Sequence, residues 1–209
     1  MSEQKDNKWS ELADKESVDK TILALKANGF TAFYFDNESE AKKKIFEIIP
    51  KGAEVMDSTS VTLDTLGILN EINKSGNYDS VKNKLNLMDR KTQSGEMQKL
   101  GAAPDWIIGS AHAVTEDGKV VVASNTGSQL PAYSYASNHV ILVVGTQKIV
   151  KNLDEANKRL YDYTLPLESE RAKKAYGSSG SFVSKLLIFN REVKPDRITI
   201  IFINKVLGF

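Results

Sequence analysis

Residues 105–150 read DWIIGSAHAVTEDGKVVVASNTGSQLPAYSYASNHVILVVGTQKIV, and this stretch decides the fold. Trp106–Ile108, Ala113–Thr115, Val120–Ala123 and Val140–Val144 are short apolar runs, rich in β-branched residues and separated by polar or small ones. That is the pattern of buried strands. Between the second and third runs, Glu116-Asp117-Gly118-Lys119 supplies a turn in which Gly118 can take a positive φ, so these two strands form a hairpin. The segment Asn125–Gln129 (NTGSQ) leaves the third run as a polar loop, and Gly127 allows close backbone approach there.

Working outward, helices alternate with further strands. Upstream, residues 8–28 carry Leu12, Val18, Ile22, Leu23 and Leu25 as an irregular apolar stripe that Asn28-Gly29 stops, which predicts a helix. Thr31–Phe35 (TAFYF) suits a strand, and Asp36–Ser39 caps a second helix that ends at Pro50. Ala53–Met56 predicts a short strand running into Asp57-Ser58-Thr59-Ser60. A helix over Thr62–Asn73 follows, with Leu63, Leu66, Ile68 and Leu69 on its apolar face. Downstream, Leu153–Tyr163 predicts a helix, Pro166 breaks the chain, and Leu167–Tyr176 forms another helix. Gly177–Ser181 (GSSGS) reads as a mobile loop. Lys185–Phe189 and Ile198–Ile203 read as strands, with Pro195-Asp196 turning between them.

Strands alternating with helices imply an α/β fold, with a mixed, mostly parallel sheet covered by helices on both faces. The hairpin at Gly118 supplies the antiparallel element. Residues 1–28 form an N-terminal helical arm and residues 29–209 the α/β domain. The arm can pack on its own core or on a second copy, which would make a homo-oligomer.

The composition narrows the function. Lys plus Arg total 28 against 27 for Asp plus Glu, a formal net charge of +1. A balanced chain generates no global field for nucleic acid or an anionic membrane, so neither is expected as a partner. Cysteine is absent, which removes disulfides, iron–sulfur ligation, thiolate zinc sites and thiol nucleophiles. His112 and His139 are the only histidines, and neither has a second ligand at metal spacing, so no metal and no cofactor is expected. The charged start MSEQKDNKWSELADKES has no apolar signal segment, and the longest apolar runs are too short to cross a bilayer. The cytoplasm is the expected compartment. Lys42-Lys43-Lys44 reads as a solvated helix face, and the dinucleotide-binding, P-loop and nucleophile-elbow glycine signatures are absent.

Two stretches carry a resemblance to a known family. Glu54–Ile68 (EVMDSTSVTLDTLGI) resembles the strand, small-residue loop and Ser-x-Thr-Leu helix of the LUD (lactate utilisation) family. Asp105–Val150 resembles its Ala-x-Thr-Glu-Asp-Gly hairpin, its Thr-Gly loop and its Val-Val-Gly-x-x-Lys-Ile-Val strand. Leu165–Arg171 (LPLESER) and the terminal Arg197-Ile198…Leu207-Gly208-Phe209 add to the match, which covers most of the chain from about residue 50. The resemblance implies a fold like that of ribose-5-phosphate isomerase and the CoA transferases. Departures are clear: many relatives have glycines where Ser58 and Thr59 stand, and many have Arg where Gln129 stands. Some carry a cysteine cluster after the position of Arg171, where this chain has none.

The candidate site residues follow from both readings. Ser58, Thr59, Ser60 and Thr62 lie where a strand meets a helix N-terminus, so their hydroxyls and the nearby amides suit a phosphate or carboxylate; the same residues also serve as ordinary N-caps. Asn125, Thr126, Gly127, Ser128 and Gln129 offer neutral polar groups that would border the same crevice, or form a plain polar turn. Glu116 is the catalytic candidate, because CoA transferases of the related fold use a glutamate nucleophile; a carboxylate on a solvated hairpin tip is the plainer account of it. Arg171 is a further anion ligand by the resemblance, or the partner of Glu168 on one helix.

The resemblance implies an accessory that binds a small anionic ligand (a carboxylate, a phosphate or a CoA-linked molecule) beside iron–sulfur or flavin oxidoreductase partners in oxidising lactate or another 2-hydroxy acid. A free-standing enzyme on a phosphorylated or CoA-linked substrate is the alternative, and so is a non-enzymatic ligand sensor.

Overall fold

Asp14 decides where the first long helix begins. Its carboxylate accepts a hydrogen bond from the Ser17 amide at 2.7 Å, capping α1 (Lys15–Ala27). The computed structural model describes residues 8–209, so residues 1–7 of the expected arm lie outside the described residues. The predicted helix over 8–28 is therefore shorter: a 3₁₀ turn at Lys8–Ser10 precedes the cap. Val18, Thr21 and Leu25 make the buried stripe, whereas Leu12 and Leu23 are exposed. Leu25 enters the main core, so α1 packs on its own chain.

The chain continues through β1 (Thr31–Phe35), α2 (Glu38–Ile48) and β2 (Glu54–Asp57). The helix expected over Thr62–Asn73 is split into α3 (Val61–Thr65) and α4 (Ile68–Lys74). Gly67 stands between them at φ +71°, a left-handed conformation that ends one helix and redirects the next. A two-residue strand β3 (Asp79–Ser80) and helices α5 (Val81–Asn86) and α6 (Ser94–Ala102) fill the next stretch.

Next come β4 (Trp106–Gly109), β5 (Ala113–Thr115) and β6 (Val120–Ser124). A π-helical turn at Ala132–Ala136 leads into β7 (His139–Gly145), and β8 (Ile149–Val150) follows. Helix α7 (Leu153–Arg159) runs through a second π-helical turn, Leu160–Thr164, into α8 (Leu165–Tyr176). Pro166 does not break the chain as expected. It stands at the first positions of α8, and the π-helical turn before it takes up the geometry a proline ring disturbs. Strands β9 (Lys185–Phe189) and β10 (Ile198–Ile203) complete the fold.

The strands form two sheets. Six lie parallel in the order β1-β10-β7-β4-β2-β3, and four form a second sheet in the order β8-β5-β6-β9. The fold is α/β with a parallel main sheet flanked by helices. The β5–β6 hairpin is antiparallel as expected, but it joins β8 and β9 in the smaller sheet instead of extending the main one.

The alternation along β7 shows how the layers fit. Val140, Leu142 and Val144 face a core shared with β5, β6 and Leu25, while Ile141 and Val143 face Ala41, Ile45, Leu63 and Ile72 from α2, α3 and α4. A strand buried on both faces is apolar almost throughout, and β10 (ITIIFI) follows the same rule with Thr199 as its one polar residue. A third cluster, with Val121, Val150 and Ala156, seals α7 against the outer face of the small sheet. Among the described residues no helix is long and apolar enough to cross a membrane.

Candidate functional site

The chain passes from the large sheet to the small one twice, side by side. Neighbouring β4 and β7 feed neighbouring β5 and β8. The two crossings, Ser110–His112 and Thr146–Lys148, lie beyond the carboxyl ends of parallel strands, where open α/β sheets leave a crevice. A cavity of about 450 Å³ opens there.

Its first wall comes from the end of β2. Asp57 is fully buried, accepting from Asn73 Nδ2 at 2.9 Å and pairing with Lys82 Nζ at 2.6 Å. Ser58 Oγ accepts from the Tyr133 hydroxyl at 2.9 Å, Thr59 lines the wall, and Ser60 Oγ accepts from the Leu63 amide at 3.4 Å. Ser60 is thus an N-cap as well as a wall residue. Tyr133 reaches Ser58 over Gly109: a Cβ on that glycine would sit 1.7 Å from the tyrosine oxygen, so only glycine fits. The π-helical turn that carries Tyr133 is held by Arg197, whose Nη2 donates to the Tyr133 carbonyl at 2.9 Å and whose charge pairs with Glu192.

The second wall is the loop after β6. Asn125, Thr126, Ser128 and Gln129 line the cavity. Ser124 Oγ donates to Gln129 Oε1 at 3.0 Å and accepts from the Gly127 amide at 2.8 Å. Gly127 itself is not a lining residue; at φ +85° it shapes the loop. Asn125 Oδ1 accepts from Ser184 Oγ at 3.0 Å, tying this loop to the chain before β9. Ser178, Ser181 and Phe182 of that same chain form the outer rim.

The two polar loops picked out in the sequence therefore share one cavity. Arg171 lines it too, but its guanidinium is bound bidentately to Glu168, with both contacts at 2.7 Å. That carboxylate raises the arginine pKa further. Glu116 is not among the lining residues. It lies against α1, where its carboxylate pairs with Lys20 at 2.7 Å and accepts from Ser17 Oγ at 3.4 Å.

The residue that dominates the floor escaped the sequence reading. Lys148, in the second crossing, is 2% exposed, and its Nζ donates to Thr62 Oγ1 and Ser110 Oγ, both at 3.2 Å. Thr62 Oγ1 also donates to the Leu207 carbonyl at 3.1 Å. Behind the floor, Arg159 Nη1 donates to the His112 carbonyl at 2.6 Å and to Thr164 Oγ1 at 3.0 Å, leaving Nε and Nη2 buried without a partner. Among the described residues no carboxylate pairs with Lys148 or Arg159.

Burial drives the Lys148 pKa down to about 7, and the neighbouring Arg159 charge adds to the effect. Burial also lowers Arg159, to about 10. His112 is held down to about 3 by burial and by these two cations, so it is neutral at pH 7, and its Nδ1 accepts from the Ala123 amide at 3.1 Å. Of the cations lining the cavity, Lys82 and Arg171 face carboxylates, whereas Lys148 faces hydroxyls. A buried charge without a counter-charge is costly, and an anion entering the cavity removes that cost.

The sequence clue lay in the GTQKIV segment. A lysine three residues after an apolar strand has the local pattern of a surface cation, and only the crossing between sheets buries it.

A family model described as LUD domain matches residues 18–203. Among solved structures, a DUF162 family protein from Deinococcus radiodurans superposes with a TM-score of 0.55 over 92% of this chain and 99% of that one. The two are 10% identical, so the likeness concerns the fold alone. No curated protein matches the chain.

Proposed function

Because the chain belongs to the LUD-domain family, we propose that it binds a small anionic molecule, a carboxylate, a phosphate or a CoA-linked acid, in the cavity between its two sheets. The observation that carries this reading is Lys148, buried at the floor with two hydroxyl partners and no carboxylate. Thr62 and Ser110 orient the ammonium, and Ser58, Thr59 and Gln129 supply further polar groups along the walls. The charge that draws the ligand is a side chain. Helix α3 is only five residues long and spends Ser60 on its own cap, so its amides are a minor contribution.

Within such a family the chain acts as an accessory in oxidising lactate or another 2-hydroxy acid. It holds substrate or product while flavin or iron–sulfur partners carry the electrons, since a chain without cysteine supplies no thiolates for a cluster. Glu116 as nucleophile or base is disfavoured by its position against α1 and its pairing with Lys20.

The test is a thermal-shift panel of 2-hydroxy acids, 2-oxo acids, phosphates and acyl-CoAs on the wild-type chain and on Lys148→Met. A ligand at about 100 times its dissociation constant stabilises by ~2.7 kcal/mol. The expected result is stabilisation of the wild type by at least one anion class, lost in the variant. A panel with no shift in either protein overturns the reading. Co-purification of flavin or iron–sulfur proteins with the tagged chain tests the accessory role.

A further inference from the structure

We infer that Lys148 is a nucleophile as well as a cation, and that it captures the carbonyl of a small 2-oxo acid as an imine. The inference rests on the anion-binding reading of the same cavity and goes further by naming the chemical class. Four observations lead to it.

First, an amine tied into an ion pair is a poor nucleophile, and among the described residues Lys148 pairs with no carboxylate; its Nζ donates to Thr62 Oγ1 and Ser110 Oγ. Second, those oxygens lie 3.4 Å from each other, so the three groups close a triangle through which protons can pass. Thr62 directs its own hydrogen to the Leu207 carbonyl, which turns its lone pairs toward the amine and Ser110. Third, burial, with the neighbouring Arg159 charge adding to it, brings the amine down to about 7, which leaves a large neutral fraction at neutral pH. Fourth, a cavity of about 450 Å³ with polar walls accommodates a small oxo acid and leaves the amine within reach of it.

The step balances without an oxidant. The Lys148 nitrogen bonds to the carbonyl carbon and the carbon–oxygen bond breaks. Two of the three ammonium protons leave with that oxygen as water, passed along by the Ser110 and Thr62 hydroxyls. The product is an iminium that keeps the positive charge beside the ligand's carboxylate. A 2-hydroxy acid has no ketone or aldehyde carbonyl and binds only as an anion. The site would therefore hold the oxidised member of such a pair covalently and the reduced member by charge alone.

The experiment is borohydride trapping on the full-length chain with pyruvate or glyoxylate, and with L-lactate as control. Intact mass and peptide mapping are the readouts. The expected result is one adduct per chain, heavier by the oxo acid less one oxygen atom, mapped to Lys148 and absent with lactate and from Lys148→Arg. Ser110→Ala should slow adduct formation several-fold while pyruvate still shifts the melting temperature. A melting shift with pyruvate but no adduct at Lys148 overturns the imine and leaves the anion site standing. Adducts scattered over other lysines, or persisting in Lys148→Arg, overturn it as well. If the oxo acids give neither a shift nor an adduct, the imine falls, and the anion site falls with it when the phosphates and acyl-CoAs give no shift either.

Discussion

Lys20 and Lys148 occupy opposite electrostatic situations in one small molecule, and the contrast explains where function resides. Lys20 is exposed on α1 and pairs with Glu116 at 2.7 Å, which raises its pKa and neutralises the most conspicuous carboxylate of the hairpin. Lys148 is buried at the seam between the two sheets, meets only hydroxyls, and has its pKa lowered to about 7. The hairpin tip is thus electrostatically satisfied, while the seam carries a charge that nothing in the described chain neutralises. A buried, unpaired lysine at position 148 costs stability that an apolar residue would not, and this cost is what supports the proposed anion site.

The largest expected effect comes from removing the unsatisfied charge. Lys148→Met should abolish anion binding, a loss of about 2–5 kcal/mol for a buried charged contact, seen by calorimetric titration with the best anion of the panel. The same substitution should stabilise the unliganded protein by about 1–4 kcal/mol in urea denaturation at pH 7. A variant that binds as before, or unfolds more easily, would erase the contrast between the two lysines.

The pH dependence sharpens it. The Lys148 pKa is lower in the folded chain than its ordinary value of 10.5, so the unfolded chain binds more protons between pH 7 and about 10. Stability therefore rises with pH across that window, and the penalty for burying the charge is complete only below about pH 7. The wild type should close its stability gap to Lys148→Met as pH climbs from 7 to 10, measured by denaturation at each pH. A gap that stays constant would show that the lysine titrates normally.

A smaller effect is expected at Gly208, which sits at φ +60° with its missing Cβ 2.8 Å from Thr62 Oγ1 and 3.6 Å from Lys148 Nζ. Gly208→Ala should push the Thr62 hydroxyl aside and weaken anion binding roughly tenfold, about 1.4 kcal/mol. It should also cost about 1 kcal/mol of stability for the left-handed backbone. Arg171→Gln should weaken binding only a few-fold, because Glu168 already occupies the guanidinium, and should cost about 0.5–1 kcal/mol of stability or less. Smallest of all, Glu116→Gln should leave anion binding within about twofold of wild type. A large loss of binding there would move the site to the hairpin.

Much of this molecule was legible as a sequence, because strand and helix signals are local. Val140–Val144 and Ile198–Ile203 announced themselves as buried strands, and Gly118 announced its hairpin. Ser58–Thr62 and Asn125–Gln129 stood out as polar loops leaving apolar strands, and the structure sets both around one cavity. What stayed hidden was the non-local part. The hairpin pairs with β9, more than sixty residues downstream, and no local pattern separates that from pairing within the main sheet. Pro166 read as a break because a proline's tolerance at a helix start depends on the π-helical turn before it. Lys148 and Arg159 drew no reading of their own, since the burial of Lys148 and the closeness of the two cations arise only in three dimensions. Glu116 drew notice through the resemblance to CoA transferases, and only the docking of α1 supplies the Lys20 that pairs with it.

The central claim is that the Lys148 amine is buried and uncompensated until an anion arrives. An NMR titration of ¹³C-labelled lysines, with Lys148→Met used to assign the resonance, measures this directly. The account predicts a midpoint near 7 for Lys148 in the free protein, moving upward when the anion binds. A Lys148 midpoint at the ordinary 10.5, unmoved by any anion of the panel, would contradict it.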